Sequence, residues 1–225
     1  MQKSDQAPQA QDTTATRTRG RPRAFDREAA LAKATRLFWE KGFEATSITD
    51  LTEAMGIGSP SLYAAFGSKE ALYAEALNYY HETNEALVWA GFRAAPTARE
   101  AIKALLMDSA AVLTGSVVDI PLGCMVALSS VGSEGHAELG ELVRTARAVT
   151  LDLLKLRLTQ AVSAGEIPAS TDIHGLARFV QTVQSGMSIL ARDGASRSEL
   201  ESVAEVSMLG WDARTLDDEA AAKIT

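Results

Sequence analysis

The stretch from Thr46 to Leu72, TSITDLTEAMGIGSPSLYAAFGSKEAL, constrains the fold of this chain more than any other part of it. Thr46 or Ser47 can cap a short helix, and Gly56 can end that helix in a tight turn. A second short helix is predicted from Ser59 onward, followed by the start of a longer one. Two short helices joined by a glycine turn are typical of a helix-turn-helix, which places its second helix in the DNA major groove.

The second short helix has one apolar side and one side of small or hydroxyl-bearing residues. Ile57, Leu62 and Phe66 would anchor it inward. The opposite side can approach base edges with Ser59, Pro60, Ser61, Ala64 and Ala65, and Tyr63 lies near its rim. Because this side carries no Arg, Asn or Gln, we expect modest direct base readout and a larger share of phosphate contacts and DNA shape.

Phosphate contacts are predicted around this helix. Thr46 and Ser47 lie at a helix N-terminus, where free N–H groups favour an anion. Tyr63 offers a phenol, and Lys69 lies in the first turn of the next helix, where a lysine opposes the helix dipole by ~0.3–1 kcal/mol. That unfavourable position suggests a phosphate contact, although a lone lysine is more commonly just a solvated side chain.

A basic arm precedes the motif. Arg17, Arg19, Arg21 and Arg23 alternate within residues 17–24, RTRGRPRA. The arginines at 19, 21 and 23 resemble hooks that enter a narrow, negatively charged minor groove. The alternative is a soluble tail without a DNA contact.

Capping residues and apolar spacing predict helices through most of the remaining chain. The expected segments are Asp26 to Gly42, Ser68 to about Trp89, Thr97 to about Thr114, a short one near Cys124–Val131, 136–164, Asp172 to Gly194, and Ser196 or Ser198 to about Arg214. No strand-like alternation is visible. The prediction is therefore an all-α chain of about nine helices.

The composition predicts a protein without a membrane-spanning segment. No apolar run approaches the ~20 residues that span a bilayer, and the N-terminus lacks the apolar stretch of a signal peptide. We therefore expect a soluble, cytoplasmic protein. Cys124 is the only cysteine and the three histidines are far apart, so the sequence predicts neither a metal site nor another cofactor.

The net charge of −7 looks unfavourable for DNA binding, but it is unevenly distributed. Residues 1–81 hold ten Lys and Arg against ten Asp and Glu, so the acidic excess lies entirely in residues 82–225. Since salt screens charges beyond ~8 Å, the local basic arm matters more to a phosphate than distant acids do. We predict a disordered arm at 1–24, a helix-turn-helix domain at 25–80 and a second helical domain at 81–225.

Residues 26–72 resemble the DNA-binding domain of the tetracycline-repressor (TetR) family of bacterial regulators. The resemblance rests on residues at fixed spacing: Leu31, Ala34, Leu37, Phe38, Gly42, Phe43, Thr46, Ile48, Leu51, Ala54, Gly56, Ile57, Leu62, Tyr63, Phe66, Ser68, Lys69, Glu70 and Leu72. It implies a homodimer that binds a palindromic double-stranded DNA operator. It also implies transcriptional repression relieved by a small, mostly apolar effector bound in the C-terminal domain. Gly58, Ala64 and Ala65 depart from residues common in the family, which leaves the operator sequence open.

The same resemblance implies an effector pocket between the middle helices and a dimer interface on the last two long helices. The pocket residues expected from it are Trp89, Phe92, Leu105, Cys124, Met125, Leu128, Phe179 and Val183. The interface residues are Ser185, Gly186, Met187, Leu190, Met208 and Trp211. Plain core packing would give each of these residues the same pattern.

Three alternatives stay open at this stage. The C-terminal domain could serve dimerisation alone, in an architectural or activating DNA binder. Cys124, near a helix start, could act as a redox sensor. A helical enzyme with a coincidental helix-turn-helix would need converging polar groups, and residues 97–214 show no catalytic constellation. We therefore expect a regulator and not an enzyme.

Overall fold

The computed structural model describes residues 25–133 and 135–215, apart from the side chain of residue 85. All regular elements in these residues are helices, as the sequence predicted. They are α1 Arg27–Lys41, α2 Ile48–Met55, α3 Ser59–Phe66, α4 Lys69–Ala94, α5 Ala98–Leu113, α6 Met125–Leu128, α7 Ala137–Ser163, α8 Ile173–Arg192 and α9 Arg197–Thr215. The basic arm at 1–24, with Arg17, Arg19, Arg21 and Arg23, lies outside the described residues.

Side-chain caps set most of the helix starts. Asp26 accepts a hydrogen bond from the N–H of Ala29, and Ser47 and Asp50 form the reciprocal capping box expected of their spacing. Like Asp26, the side chains of Ser68, Thr97 and Asp172 each accept a hydrogen bond from the N–H three residues further on, at the starts of α4, α5 and α8. Each of these caps is visible in the sequence because it depends only on residues three positions apart.

The turn between α2 and α3 depends on Gly56. Its φ of +72° lies in the left-handed region, where a side chain costs energy, and its N–H donates to the carbonyls of Thr52 and Glu53. The N–H of Ile57 then donates to the carbonyl of Thr52. These bonds close α2 and set the direction of α3.

Helix α4 connects the two apolar cores of the chain. It continues past the expected end near Trp89 to Ala94, and Pro96 then disfavours further helix at the residue before it. One core joins α1–α3 and the first half of α4 with Met125, Val131, Leu139 and Val143. The other joins the second half of α4 with α5, α7, α8 and α9. The proposed domain boundary at residue 80 falls within this continuous helix and stays a prediction.

Candidate DNA-binding surface and effector cavity

Helix α3 is held by two buried side chains on one side. Leu62 and Phe66 pack into the first core with Phe38 and Leu51. Burying a residue such as Leu62 removes it from water at a gain of roughly 1.5–3 kcal/mol. These anchors fix which side of α3 faces solvent.

The side of α3 that faces solvent is the one expected from the sequence, except that Ala65 is half-buried against the first core. Ser59, Pro60, Ser61 and Ala64 are exposed, and Tyr63 has 47% of its surface exposed. This exposed surface of α3 is called the reading face below. Its orientation is confirmed, whereas its contact with bases stays a prediction.

The structure corrects the predicted phosphate contact at Thr46. This residue is fully buried, its hydroxyl donates to the carbonyl of Gly42 at 2.6 Å, and its N–H donates to the carbonyl of Phe43. Thr46 therefore has a structural role, supporting the turn before α2, and its side chain cannot reach a phosphate.

Ser47 is exposed but already engaged. Both its hydroxyl and its N–H donate to a carboxylate oxygen of Asp50, at 2.8 and 2.9 Å. These bonds, together with Lys41, hold the pKa of Asp50 well below its usual range: the hydrogen bond from Lys41 contributes most, followed by those from Ser47. A phosphate at Ser47 would have to compete with this carboxylate. The N–H groups of Ile48 and Thr49, without partners among the described residues, are the better placed donors there.

Lys69 lies on an aromatic support that the sequence did not reveal. Its ammonium is 4.2 Å from the centroid of the Phe43 ring. The ring of His136, which precedes α7, meets Phe43 edge-on at 4.7 Å, and His136 Nε2 lies 2.7 Å from a carboxylate oxygen of Glu44. The start of α7 thus contacts the helix-turn-helix beside the predicted phosphate-binding lysine.

Arg27 clamps the C-terminal end of α3, a role that local sequence gave no signal for. Its guanidinium donates to both carboxylate oxygens of Glu75, at 2.7 and 2.8 Å, and to the carbonyl of Ala65. It also lies 4.4 Å from the centroid of the Phe66 ring. One side chain of α1 therefore links α3 to α4.

A cavity of about 460 Å³ lies between the two cores, within the range of small-molecule sites. Its residues come mainly from α4, α7 and α8 and from the segment 123–127. The apolar part of the lining includes Trp39, Leu77, Val88, Trp89, Val112, Leu113, Val126, Leu142 and Val149. The polar part includes Asn78, Tyr80, His81, Asn84, Cys124, Thr145, Arg147, Thr150, Gln181, Gln184 and Ser185.

Two of the eight residues expected in the pocket line this cavity, Trp89 and Cys124. The other six predictions are wrong for this cavity. Phe92 and Leu105 are buried in the second core, Val183 packs against that core, and Phe179 is exposed. Met125 belongs to the first core, and Leu128 lines a smaller cleft with Met125 near Phe43. Helical spacing identified these residues as apolar but not which side of each helix borders the cavity.

Tyr80 and Cys124 form a pair on the cavity wall. The Tyr80 hydroxyl donates to Cys124 Sγ at 3.2 Å, and burial raises the pKa of the phenol well above its usual value. Cys124 Sγ also accepts the N–H of Ala127 and so caps α6. The Cys124 thiol thus has local hydrogen-bonding roles that do not require redox chemistry.

Three of the six expected dimer residues belong to the core of one chain. Met187, Met208 and Trp211 are buried with α5, α8 and α9 neighbours, so these interface predictions are wrong. Ser185 and Gly186 are half-buried, and Leu190 is exposed. The outer surface of α8 and α9 carries a larger apolar set than expected: Phe179, Ile189, Leu190, Val206 and Leu209. We call this set the α8–α9 apolar surface.

The comparison with known proteins decides the family. The profile of the bacterial regulatory proteins of the tetR family matches residues 30–76. The HTH-type transcriptional repressor ComR of Escherichia coli (strain K12) is 35% identical over 202 residues, which cover 87% of this chain and 93% of ComR. This chain belongs to the TetR family. It is therefore a helix-turn-helix transcriptional regulator, as its sequence predicted.

Other relatives agree with this assignment. The HTH-type transcriptional repressor BdcR of the same E. coli strain is 32% identical over 91% of this chain and 97% of BdcR. A cysteine mutant of the TetR regulator CifR, solved with a 26-bp double-strand operator DNA, is 38% identical over 85% of this chain and 100% of its own, with a TM-score of 0.79. A TetR regulator from Chloroflexus aurantiacus, 23% identical with a TM-score of 0.73, shares the fold. Within residues 25–133 and 135–215, no helix is long and apolar enough to cross a membrane.

Proposed function

We propose that this TetR-family chain acts in the cytoplasm as a homodimeric repressor that binds a palindromic operator and releases it when a small effector binds. Binding, and not catalysis, is its activity. The observation that carries the proposal is the orientation of the reading face: Leu62 and Phe66 point into the core while Ser61 and Tyr63 face solvent. CifR, a relative of the same fold, was solved with operator DNA.

The α8–α9 apolar surface supports the homodimer. Leu209 has 69% of its surface exposed, and four other large apolar side chains accompany it on two adjacent helices. Large apolar side chains exposed on neighbouring helices favour association with a partner. A twofold dimer would place two reading faces about one DNA turn apart, ~34 Å, which requires a palindromic operator.

The cavity supports release by an effector, and α4 supplies the connection. Leu77, Tyr80, Asn84 and Val88 line the cavity from α4, whose first residue is Lys69. Because one rigid helix links the cavity wall to the DNA-binding surface, an effector that displaces α4 would move the reading face. Coupling of ~1–3 kcal/mol, or 5–150-fold in affinity, is typical of such switches. A C-terminal domain that served dimerisation alone would not need this cavity.

The first experiment is selection of bound DNA from a random pool by the full chain. We expect a palindrome, and recovery of no enriched sequence would overturn the proposal. Ser61→Ala should then weaken binding to the recovered palindrome, while the control Ser202→Ala, at an exposed position of α9, should leave it unchanged.

The second experiment measures operator affinity with and without a compound shown by calorimetry to bind the chain. A decrease of at least fivefold is expected, at the lower end of about 5–150-fold. An unchanged affinity would remove the effector part of the proposal while leaving the DNA-binding part intact.

A further inference from the structure

Arg147 of α7 lines the cavity and also holds a short segment of chain beside it. Through Nε and Nη2, its guanidinium donates to the carbonyl oxygens of Val126, Ala127 and Ser129, at distances from 2.6 to 3.1 Å. These carbonyls lie in and just after α6, a helix of four residues, where acceptors at the helix end need donors from elsewhere. One side chain therefore supplies donors to three backbone acceptors. We call residues 123–131 the α6 segment.

The backbone and the guanidinium of Arg147 are held from different directions. Gln181 of α8 donates its amide N–H to the carbonyl of Arg147 at 2.7 Å. Nη1 makes no hydrogen bond within the described residues, which leaves this nitrogen available to an acceptor on a molecule in the cavity. Because the guanidinium is planar and rigid, a ligand that displaces Nη1 moves Nε and Nη2 away from the carbonyls as well.

The α6 segment also belongs to the core beneath the DNA-binding helices. Met125 and Val131 are buried there with side chains of α1–α3 and of the first half of α4. The Ser129 hydroxyl lies 2.9 Å from the hydroxyl of Tyr73 on α4. The α6 segment is thus held by Arg147 on its cavity side and by the DNA-binding helices on the other.

Aromatic contacts continue from Tyr73 to the DNA-binding surface. The Tyr73 ring meets the Phe43 ring with 5.1 Å between the centroids. The ammonium of Lys69 lies 4.2 Å from the centroid of the same Phe43 ring. These contacts connect the α6 segment to Lys69, the predicted phosphate-binding side chain. A displacement of Ser129 would therefore change the support beneath Lys69.

We propose that Arg147 is a positioning residue for operator binding: from the cavity wall it holds the α6 segment against the DNA-binding helices, and through that segment it positions Lys69. Its effect on the operator rests on the proposed function, and it adds a second connection to the one along α4. A ligand whose acceptor draws the guanidinium away from the α6 segment would lower operator affinity by this route. That acceptor can be neutral or anionic, since an arginine N–H donates to either.

Hydrogen exchange of the full chain tests the support without DNA. Arg147→Gln removes the donors from the α6 carbonyls, and amide exchange should become about tenfold or more faster in the α6 segment, in 42–46 and in 69–73, the size expected of a lost bond to a charged group. Arg157→Gln is the matched control, because Arg157 is another half-buried arginine of α7 that donates to a backbone carbonyl, that of Pro96. It should leave 42–46 and 69–73 unchanged.

Two exchange results would overturn the proposal. One is wild-type exchange in 42–46 and 69–73 of Arg147→Gln, which would mean that the α6 segment does not support these residues. The other is faster exchange spread equally over both cores, which would mean that Arg147 stabilises the whole fold and positions nothing in particular.

Operator binding tests the consequence for Lys69. On the recovered palindrome, Arg147→Gln should weaken binding about tenfold and reduce the salt slope of the affinity by roughly one per reading face, as expected of a lost phosphate contact. Arg157→Gln should change neither. Lys69→Gln combined with Arg147→Gln should weaken binding less than the product of the two single effects, because both act at one contact. An unchanged salt slope, or effects that multiply, would overturn the proposal, since a loss of stability alone gives that result.

Ser129→Ala tests the same route without changing the cavity lining. It removes the hydroxyl that meets Tyr73 and keeps the carbonyl that accepts from Arg147. It should reproduce the faster exchange around Lys69 and the lower salt slope. The control Ser133→Ala, which removes a hydroxyl that donates to a carbonyl within the same loop, should reproduce neither. Wild-type behaviour of Ser129→Ala would overturn the route through the α6 segment.

Failure of this inference is distinguishable from failure of the proposed function. Selection of a palindrome by the wild-type chain, with unchanged affinity in Arg147→Gln and Ser129→Ala, would keep the regulator and remove the role of Arg147. Faster exchange in both variants without a recovered palindrome would keep the support by the α6 segment and remove operator binding.

Discussion

The indole N–H of Trp39 donates to the carbonyl oxygen of Gly123 at 3.0 Å, in a buried site. Trp39 lies in the last turn of α1, the helix that supports the reading face, and Gly123 forms part of the cavity wall. Arg192 at the end of α8 adds bonds to the carbonyls of Trp39 and Glu40. The DNA-binding helices are therefore attached to the cavity wall by directional hydrogen bonds as well as by packing.

Trp39→Phe should destabilise the fold by about 1–3 kcal/mol, because the buried carbonyl of Gly123 loses its donor. Urea unfolding followed by circular dichroism measures this. The matched control is Trp89→Phe, which removes the same atoms from another indole of the cavity lining. Trp89 makes a ring contact with Phe92 but donates no N–H bond within the described residues, so its cost should be smaller. Equal costs for the two variants would contradict a specific role for the Trp39 bond.

Arg27→Ala should loosen α3 without unfolding the chain. The pair with Glu75 is partly exposed and the contact with Phe66 is a cation–π contact, so we expect a loss of about 1 kcal/mol in stability. Operator affinity, measured by fluorescence anisotropy, should fall by about tenfold or more, since a ~1 Å displacement of a reading helix disturbs several contacts at once. Arg197→Ala, which removes a helical ion pair with Glu201 in α9, is the control. If Arg27→Ala bound the operator as tightly as the wild type, Arg27 would not be needed to hold α3 in its DNA-binding position.

Leu209→Glu should separate the homodimer into monomers. Leu209 belongs to the α8–α9 apolar surface, so a charge there would be buried without a partner at the interface, which costs several kcal/mol. Analytical ultracentrifugation measures the change. Val117→Glu places the same charge on another exposed apolar residue, in the link between α5 and α6, and should leave association unchanged. A Leu209→Glu protein that stays dimeric would place the interface elsewhere.

The Arg99–Asp212 pair should make stability sensitive to acid. The guanidinium of Arg99 bonds both carboxylate oxygens of Asp212, at 2.6 and 2.7 Å, and lowers the pKa of that carboxyl. A lowered pKa in the folded state means that this stabilisation is present above the ordinary carboxyl pKa. It is lost as the pH falls through the folded value.

Unfolding midpoints between about pH 6 and pH 3, which bracket the ordinary carboxyl pKa of ~3.9, should therefore fall less steeply in Asp212→Asn than in the wild type. Arg99→Gln should give the same shallower dependence, because Asp212 then lacks its partner. If the unfolding midpoints of both variants fell with pH as steeply as those of the wild type, the Arg99–Asp212 pair would not contribute to the acid sensitivity of stability.

Local sequence predicted the helices well, because their starts and ends depend on neighbours along the chain. Asp26, Ser47 and Ser68 cap at a spacing of three residues, and Gly56 adopts a φ that other residues avoid. The orientation of the reading face could also be predicted from local sequence, because only one side of the short helix α3 is apolar. The family resemblance of residues 26–72 depended on these local features.

What the sequence determined by itself was the set of helices, their amphipathic sides and the helix-turn-helix. Only the tertiary structure decided which apolar residues became core, cavity wall or outer surface. Met187 and Leu190 lie on one helix and look alike in sequence, yet one is buried and the other is exposed. Thr46 looked like a phosphate ligand, and packing under the turn before α2 buried it. The physical reason is that helical periodicity depends on chain neighbours alone, whereas a cavity, a clamp such as Arg27, or an interface depends on which distant helices pack together.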